Sequence, residues 1–312
     1  MARAIGARSV TALAFEATYG VAPASGYTQM PFTQNALSAE QPLLDSEVLG
    51  QGRDPVAPNK DVITDDGDIT VPIDLEAFGF WLKGTFGDPA TTGTDPFTHV
   101  FESGQWVLPS MSIEVGLPEV PLFAMHSGAR VNSLAWTMAR SGQLTATVNL
   151  IAQGETTATT TQAGTPGQIV LQRFGNFQGT IKRGGTALAN VTSASFNYSN
   201  NLDRVETIRA DGKIESVDPG ITAATGDIVA RFANTMLLDQ AINGTPAAFE
   251  MAWSLGTGKS LTIAIPVVYL PVPRRQITGP GGIEATFAWQ AAQQANGDPM
   301  VTATLVNSVS AY

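Results

Sequence analysis

A 22-residue stretch at 66–87, DGDITVPIDLEAFGFWLKGTFG, returns in blurred form at 225–244 as TGDIVARFANTMLLDQAING. In both, Gly-Asp-Ile leads an alternating run that passes through a polar residue into a short apolar helical pattern closed by glycine. The likeness extends both ways along the chain. Upstream, LDSEVLGQGRDPVAPNKDVITDDGDI from Leu44 matches LDRVETIRADGKIESVDPGITAATGDI from Leu202, and downstream residues 111–136 match 261–289. The two Leu-Asp pairs lie 158 residues apart, the two Gly-Asp-Ile triplets 159 and the two Ala-Trp pairs 153. A nearly constant offset over separate landmarks marks a duplication, and any fold must then accommodate one design twice. The expected organisation is an N-terminal arm (1–34), a first copy (35–153), a Thr-rich linker (154–168) and a second copy (169–312).

The 312 residues suffice for two domains of ordinary size, each able to bury a core without staples. Only 14% of residues are charged while 43% are hydrophobic, so Thr, Ser, Asn, Gln, Ala and Gly must make up much of the surface. That profile suits a chain with extensive protein contacts. A net charge of −10 argues against a general duplex-DNA binder, which needs Lys and Arg to neutralise phosphates. The lack of cysteine excludes disulfides and thiolate zinc sites. No apolar run reaches the length of a membrane span, about 18 residues or more. The first twenty residues hold two arginines and an apolar run, but Glu16 interrupts it and no small-residue cleavage site follows, so no signal peptide is expected.

Periodicity predicts mostly strands. Residues 1–34 carry one apolar patch, 10–15, among Gly, Pro, Ala and Ser, and read as an arm that orders by docking. Residues 50–66, with two prolines, two glycines and many charges, read as an exposed projecting loop. Ile69, Val71 and Ile73 then alternate as a strand. Asp74 is placed to cap a helix whose buried face is Leu75, Phe78, Leu82 and Phe86, with Gly87 as the stop. In the second copy Thr235 is the expected cap, Leu238, Ala241 and Ile242 the buried face, and Gly244 the stop. The remaining segments alternate, are rich in β-branched and aromatic residues, and are divided by Gly and Pro, as strands are. A second charged hairpin is expected at 203–218. The fold class is therefore mainly β, two tandem β-sandwich or partial-barrel domains with one short helix each.

Reactive constellations are scarce. Gly256-Thr257-Gly258-Lys259-Ser260 ends like a phosphate loop, but Trp253 stands where the first glycine is needed and a strand pattern follows, so a hairpin turn is expected. The two histidines, His99 and His126, have no third imidazole and form no HExxH pair; both read as structural or exposed. Asp65, Asp66 and Asp68 lack the spacing of a calcium loop and read as a solvated hairpin edge. Residues 279–282, GPGG, are a turn. Arg274 and Arg275 read equally as an interface contact or a solubilising loop. No catalytic, cofactor or metal residues are assigned, and the chain is not expected to be an enzyme.

The order of elements, together with the phrases SEVLGQGR (46–53), FNYSNNLDRVETIRADG (196–212) and PGGIEATFAWQAA (280–292), resembles the tail tube, or major tail, protein of long-tailed bacteriophages. The resemblance runs from about Val10 to the C-terminus. It implies a structural virion protein, assembled in the host cytoplasm, whose rings stack into a hollow conduit for DNA ejection. Single-copy members form hexameric rings, so a duplicated chain implies a trimeric, pseudo-hexameric ring, with a true hexamer as the other arrangement. It further implies tape-measure and tail-terminator partners, no membrane, and DNA that passes without specific binding. Candidate contacts between subunits and rings are Arg53, Asp54, Lys60 and Asp61 in the first hairpin, Arg204, Glu206, Arg209 and Lys213 in the second, and Arg274 with Arg275. A carbohydrate-binding or adhesin-like β-sandwich is the competing class, since Thr- and Asn-rich strands with exposed Trp also suit sugars. A carboxylate-pair glycosidase stands third.

Overall fold

The computed structural model describes residues 3–274 and 281–312; of the expected contacts, Arg275 lies outside the described residues. The chain is mainly β, as its alternation requires. In the first half the principal strands are β1 (Val10–Phe15), β2 (Thr64–Pro72), β3 (Phe97–Glu102), β4 (Met111–Leu117), β5 (Leu122–Ala139), β6 (Thr145–Ala152) and β7 (Gly154–Ala158), with helix α1 (Phe78–Phe86) between β2 and β3. In the second they are β8 (Gly179–Arg183), β9 (Val191–Ser199), β10 (Ala223–Arg231), β11 (Ala247–Gly256), β12 (Lys259–Tyr269), β13 (Glu284–Ala291) and β14 (Thr302–Asn307), with α2 (Met236–Asn243) after β10.

One antiparallel sheet runs β2–β6–β5–β9–β10–β13 and crosses from the first half to the second at the β5–β9 pair. A second runs β8–β11–β12–β14–β3, so the closing strand of the second half pairs with a strand of the first. A third, β1–β4–β5–β7, uses the first part of the long strand β5. The first two sheets face each other across aromatic side chains. Trp136 of β5 stacks on Phe196 of β9 at 4.2 Å and meets Trp253 of β11 edge-on at 6.3 Å, while Trp289 of β13 meets Phe249 of β11 at 6.5 Å. All five are buried in one cluster that spans both halves. Burying side chains of this size contributes roughly 1.5–3 kcal/mol each, and ring pairs add about 1 kcal/mol beyond area.

One local arrangement occurs twice. Each time, a strand leads into a charged hairpin and the Gly-Asp-Ile strand returns beside it: Ser38–Glu40 beside β2, and β9 beside β10. A helix follows in each. Beyond that the sheets part company. The closing strand β6 lies next to β2, whereas its sequence counterpart β14 lies in the other sheet and leaves β13 as the neighbour of β10.

Local details refine the sequence reading. Leu75, Phe78, Leu82 and Phe86 are buried as their spacing predicts. The helix itself starts at Phe78, and Asp74 serves the preceding turn, accepting from the N–H groups of Glu76 and Ala77 at 3.1 and 2.9 Å. Thr235 holds the N-cap position of α2, but its hydroxyl donates to Asp239 instead of accepting from the backbone. Gly244 takes the left-handed conformation at φ 61°, as expected of a helix stop. Leu237, Gln240 and Ala241 centre the buried stripe of α2, so Ile242 falls past its edge and is exposed, contrary to expectation. The 10–15 patch is already docked within the chain, with β1 matched residue for residue to β4 and Leu13 fully buried. The Thr-rich segment is likewise held. Part of it is β7, and Glu114, itself buried, accepts from Thr161 Oγ1 and from the N–H groups of Gln162 and Ala163.

Candidate assembly surface

Two surfaces of the six-stranded sheet stand out. The first is its outer face. Strand alternation sends Ile69, Val71, Val148, Trp136, Phe196, Ile228 and Phe287 inward. The opposite positions are Asp68, Thr70, Thr147, Asn149, Thr137, Ser195, Asn197, Thr225, Asp227, Thr286 and Gln290, all outside the core. Small hydroxyls and amides thus dominate the face. Its strands contribute two arginines: Arg231, whose Nε lies 3.8 Å from Glu284, and Arg130 at the hairpin end of β5, whose Nη1 donates to the Val217 carbonyl at 2.6 Å. Asp68 accepts from Asn149 Nδ2 at 2.7 Å, and neither Asp68 nor Asp227 meets a cation among the described residues. Both carboxylates therefore stand on this face without a neutralising ion pair among the described residues.

The second surface is the end from which both charged hairpins project. Leu43–Leu44 pairs with Asn59–Lys60 in the first, and Asp203–Val205 with Ser216–Asp218 in the second. The expected 50–66 loop is shorter than its composition suggests, because residues 64–66 already belong to β2. Asp65 is buried there against His126, whose Nδ1 lies 2.9 Å from its Oδ1. His126 is thus structural, as is His99, whose Nε2 donates to the Val309 carbonyl while its Nδ1 lies 2.8 Å from Thr91 Oγ1.

The two hairpins touch. Arg204 pairs with Asp66, and the Ile63 N–H donates to the Gly212 carbonyl at 2.8 Å. Arg209 holds Asp211 through two nitrogens at 3.0 and 2.8 Å, which keeps the Asp211 carboxyl well below the usual carboxylate range. The Lys213 stem lies over Gly154, where an added Cβ would come within 2.6 Å of it. Glu206 is exposed and, with Arg204, Arg209 and Lys213, lines a 320 Å³ hollow between the hairpins. In the first hairpin Arg53, Asp54 and Lys60 are exposed, and none of the three forms an ion pair among the described residues. Asp61 instead binds the next N–H, that of Val62, at 2.8 Å. Arg274 is exposed and stands apart from both hairpins in sequence.

Exposed apolar side chains crowd the first hairpin: Leu43, Leu44, Val48, Leu49 and Val62, with Leu49 92% exposed. Ile208 adds another at the tip of the second. Apolar groups in this number on a projecting element mark an interaction surface. The composition predicted the charges of the hairpins but not these contacts, since Arg204 and Asp66 are 138 residues apart. The polar outer face was visible only as alternate Thr, Ser and Asn in the strands.

Elsewhere the motifs resolve as structure. Gly256 pairs with Lys259 across the β11–β12 turn, with Gly256 and Gly258 at φ 131° and 72°, so the GTGKS segment is a hairpin turn. Asp65, Asp66 and Asp68 each have a separate protein partner.

A mainly β chain with a polar sheet face and projecting hairpins that expose apolar side chains is built for contact with other protein surfaces. Residues 6–291 match the family model described as phage tail tube protein, and the chain belongs to that family. None of the curated proteins matches it. Family membership makes it a structural component of a phage tail, for which self-association into the tube is implied.

Proposed function

We propose that the chain forms the wall of a conduit through which the phage genome leaves, with the six-stranded sheet turned toward the lumen. The observation that carries this reading is the outer face of that sheet. A channel for DNA must not hold DNA: small uncharged groups give phosphates no counter-charge, and Asp68 and Asp227, which form no ion pair among the described residues, repel them where Lys or Arg would bind them. The two copies supply two tube modules per chain, so three chains close a pseudo-hexameric ring; a hexamer of chains is the competing arrangement. Ring closure also joins sheet edges that would otherwise invite uncontrolled pairing. Rings stack through the paired hairpins, and Arg53, Asp54, Lys60, Asp61, Arg204, Glu206, Arg209, Lys213, Arg274 and Arg275 are contact candidates. The tube meets a tape-measure protein inside and a terminator at its end, and assembles in the host cytoplasm.

Glycan binding has less support. It needs exposed rings, and four of the five tryptophans, Trp81, Trp136, Trp253 and Trp289, are buried, leaving Trp106. Negative-stain microscopy of the purified protein tests the proposal together with native mass spectrometry. Hollow tubes and a three-chain ring are expected. A protein that stays monomeric at high concentration would sink it.

A further inference from the structure

If subunits do stack, the structure also offers the acceptor. On that reading, we propose that the tip of the first hairpin, residues 45–50, of one copy seats in a groove at the opposite end of the sheet in a second copy of this chain. The groove has a volume of about 620 Å³ and lies between β8, the start of β9 and the end of β5, lined by Met138, Phe177, Ile181, Leu188 and Val191 with Arg140 on its wall. Phe177 is 82% exposed.

Three observations select this occupant. The first is position. Strand β9 opens in the groove with Val191 and closes at Ser199, beyond which the second hairpin begins; its nine residues span about 27 Å. Strand β5 enters the groove with Met138 and Ala139, while Ser133, nearer the hairpins, pairs with Ser199. The first hairpin is fastened to the second through Ile63 and Gly212. Hairpin tip and groove therefore lie at opposite ends of one sheet, and the tip of one copy reaches the groove of another.

The second is charge. No acidic residue lines the groove, and Arg140 is exposed with no ion pair among the described residues. The tip carries Asp45 and Glu47, which also lack ion pairs there, beside the exposed Val48 and Leu49. The third is symmetry. Two different patches that meet head to tail from opposite ends of the subunit can repeat along an axis, as a tube requires.

The absence of native cysteine makes the test clean. Leu49→Cys is combined in turn with Thr180→Cys, Ala187→Cys and Thr192→Cys, and assembled protein is oxidised and run on a non-reducing gel. The expected result is a ladder extending past the dimer in at least one double variant, with none of the four single variants passing the dimer. Tubes that form but give no ladder would overturn the assignment and leave the conduit reading standing. Equal dimer yield from Leu49→Cys alone and from every double variant would mean that tip meets tip, which also overturns it. Failure of the unmodified protein to assemble overturns the conduit reading and this inference with it. Independently, Arg140→Glu is expected to keep its circular dichroism and lose tubes, and Asp45→Lys with Glu47→Lys to restore them. Normal tubes from Arg140→Glu alone would count against the charge pairing and the docking it supports.

Discussion

Asp74 sits where β2 gives way to α1, and burial pushes its carboxyl up to about 6 although backbone N–H groups from Ala77 and Glu76 pull the other way. A folded-state value above the unfolded 3.8 means that the native state binds the proton more tightly. The stability this confers is fully present below about pH 3.8 and is lost as pH rises through about 6. At about 1.4 kcal/mol per unit, the effect is on the order of 2–3 kcal/mol. Asp74→Asn should therefore flatten the fall in melting temperature between pH 4 and 7 relative to the unmodified chain. Parallel curves for the two proteins would show that Asp74 is not the group responsible. Glu114 makes a different case, since its buried carboxylate accepts from Thr161, Gln162 and Ala163. Glu114→Ala leaves the buried Ala163 N–H unpartnered, which costs about 1–3 kcal/mol, and releases the more exposed Thr161 and Gln162. The expected readout is a melting point lowered by several degrees, together with new proteolysis in the 159–168 segment.

At the level of elements, α1 is held by the far end of the chain. Tyr312 donates its hydroxyl to the Glu76 carbonyl at 2.8 Å and accepts from Asn307, and Lys83 Nζ donates to the Tyr312 carbonyl. Its ring lies against Gly79, where a Cβ would fall 2.1 Å from Cζ. Gly79→Ala must displace that ring despite alanine's better helix propensity, and a net loss of roughly 1–3 kcal/mol is expected by calorimetry. A rise in stability would mean that Tyr312 contributes little to the seating of α1. The buried face of α1 was legible because Leu75, Phe78, Leu82 and Phe86 repeat locally. The partner on its other side was not, since Tyr312 is 233 residues from Gly79 and no local pattern encodes it. The same distinction separates the hairpins, whose charges stand out in the sequence, from the Arg204–Asp66 pair that joins them. It also explains β6 and β14. Their sequences echo each other, yet the sheet each joins is decided by neighbours far away in the chain. The docked β1 and the clamped Thr-rich segment were missed for a related reason: Glu16 and Glu114 look like surface charges until Ser112, Gly128 and Thr161 are brought to them.

For the molecule as a whole, the charge of the polar sheet face is what separates a conduit from a binder. Asp68 and Asp227 lie on different strands of that face, β2 and β10, one from each half of the chain. If the face lines the lumen, a ring of three chains repeats each of them three times, so Asp68→Lys with Asp227→Lys would reverse the field along the wall. Neither side chain enters the core, and among the described residues the only side-chain hydrogen bond at stake is that from Asn149 to Asp68. The variant should therefore still fold and assemble. Its tubes should then retain a short duplex oligonucleotide that tubes of the unmodified protein release, and the retention should fall steeply as salt is raised, because each phosphate contact releases a counterion. Fluorescence anisotropy on assembled tubes, over a salt series, measures both effects. Retention of DNA by the unmodified tubes at physiological ionic strength, or a double-lysine variant that retains no more than they do, would move the lumen to some other face of the subunit.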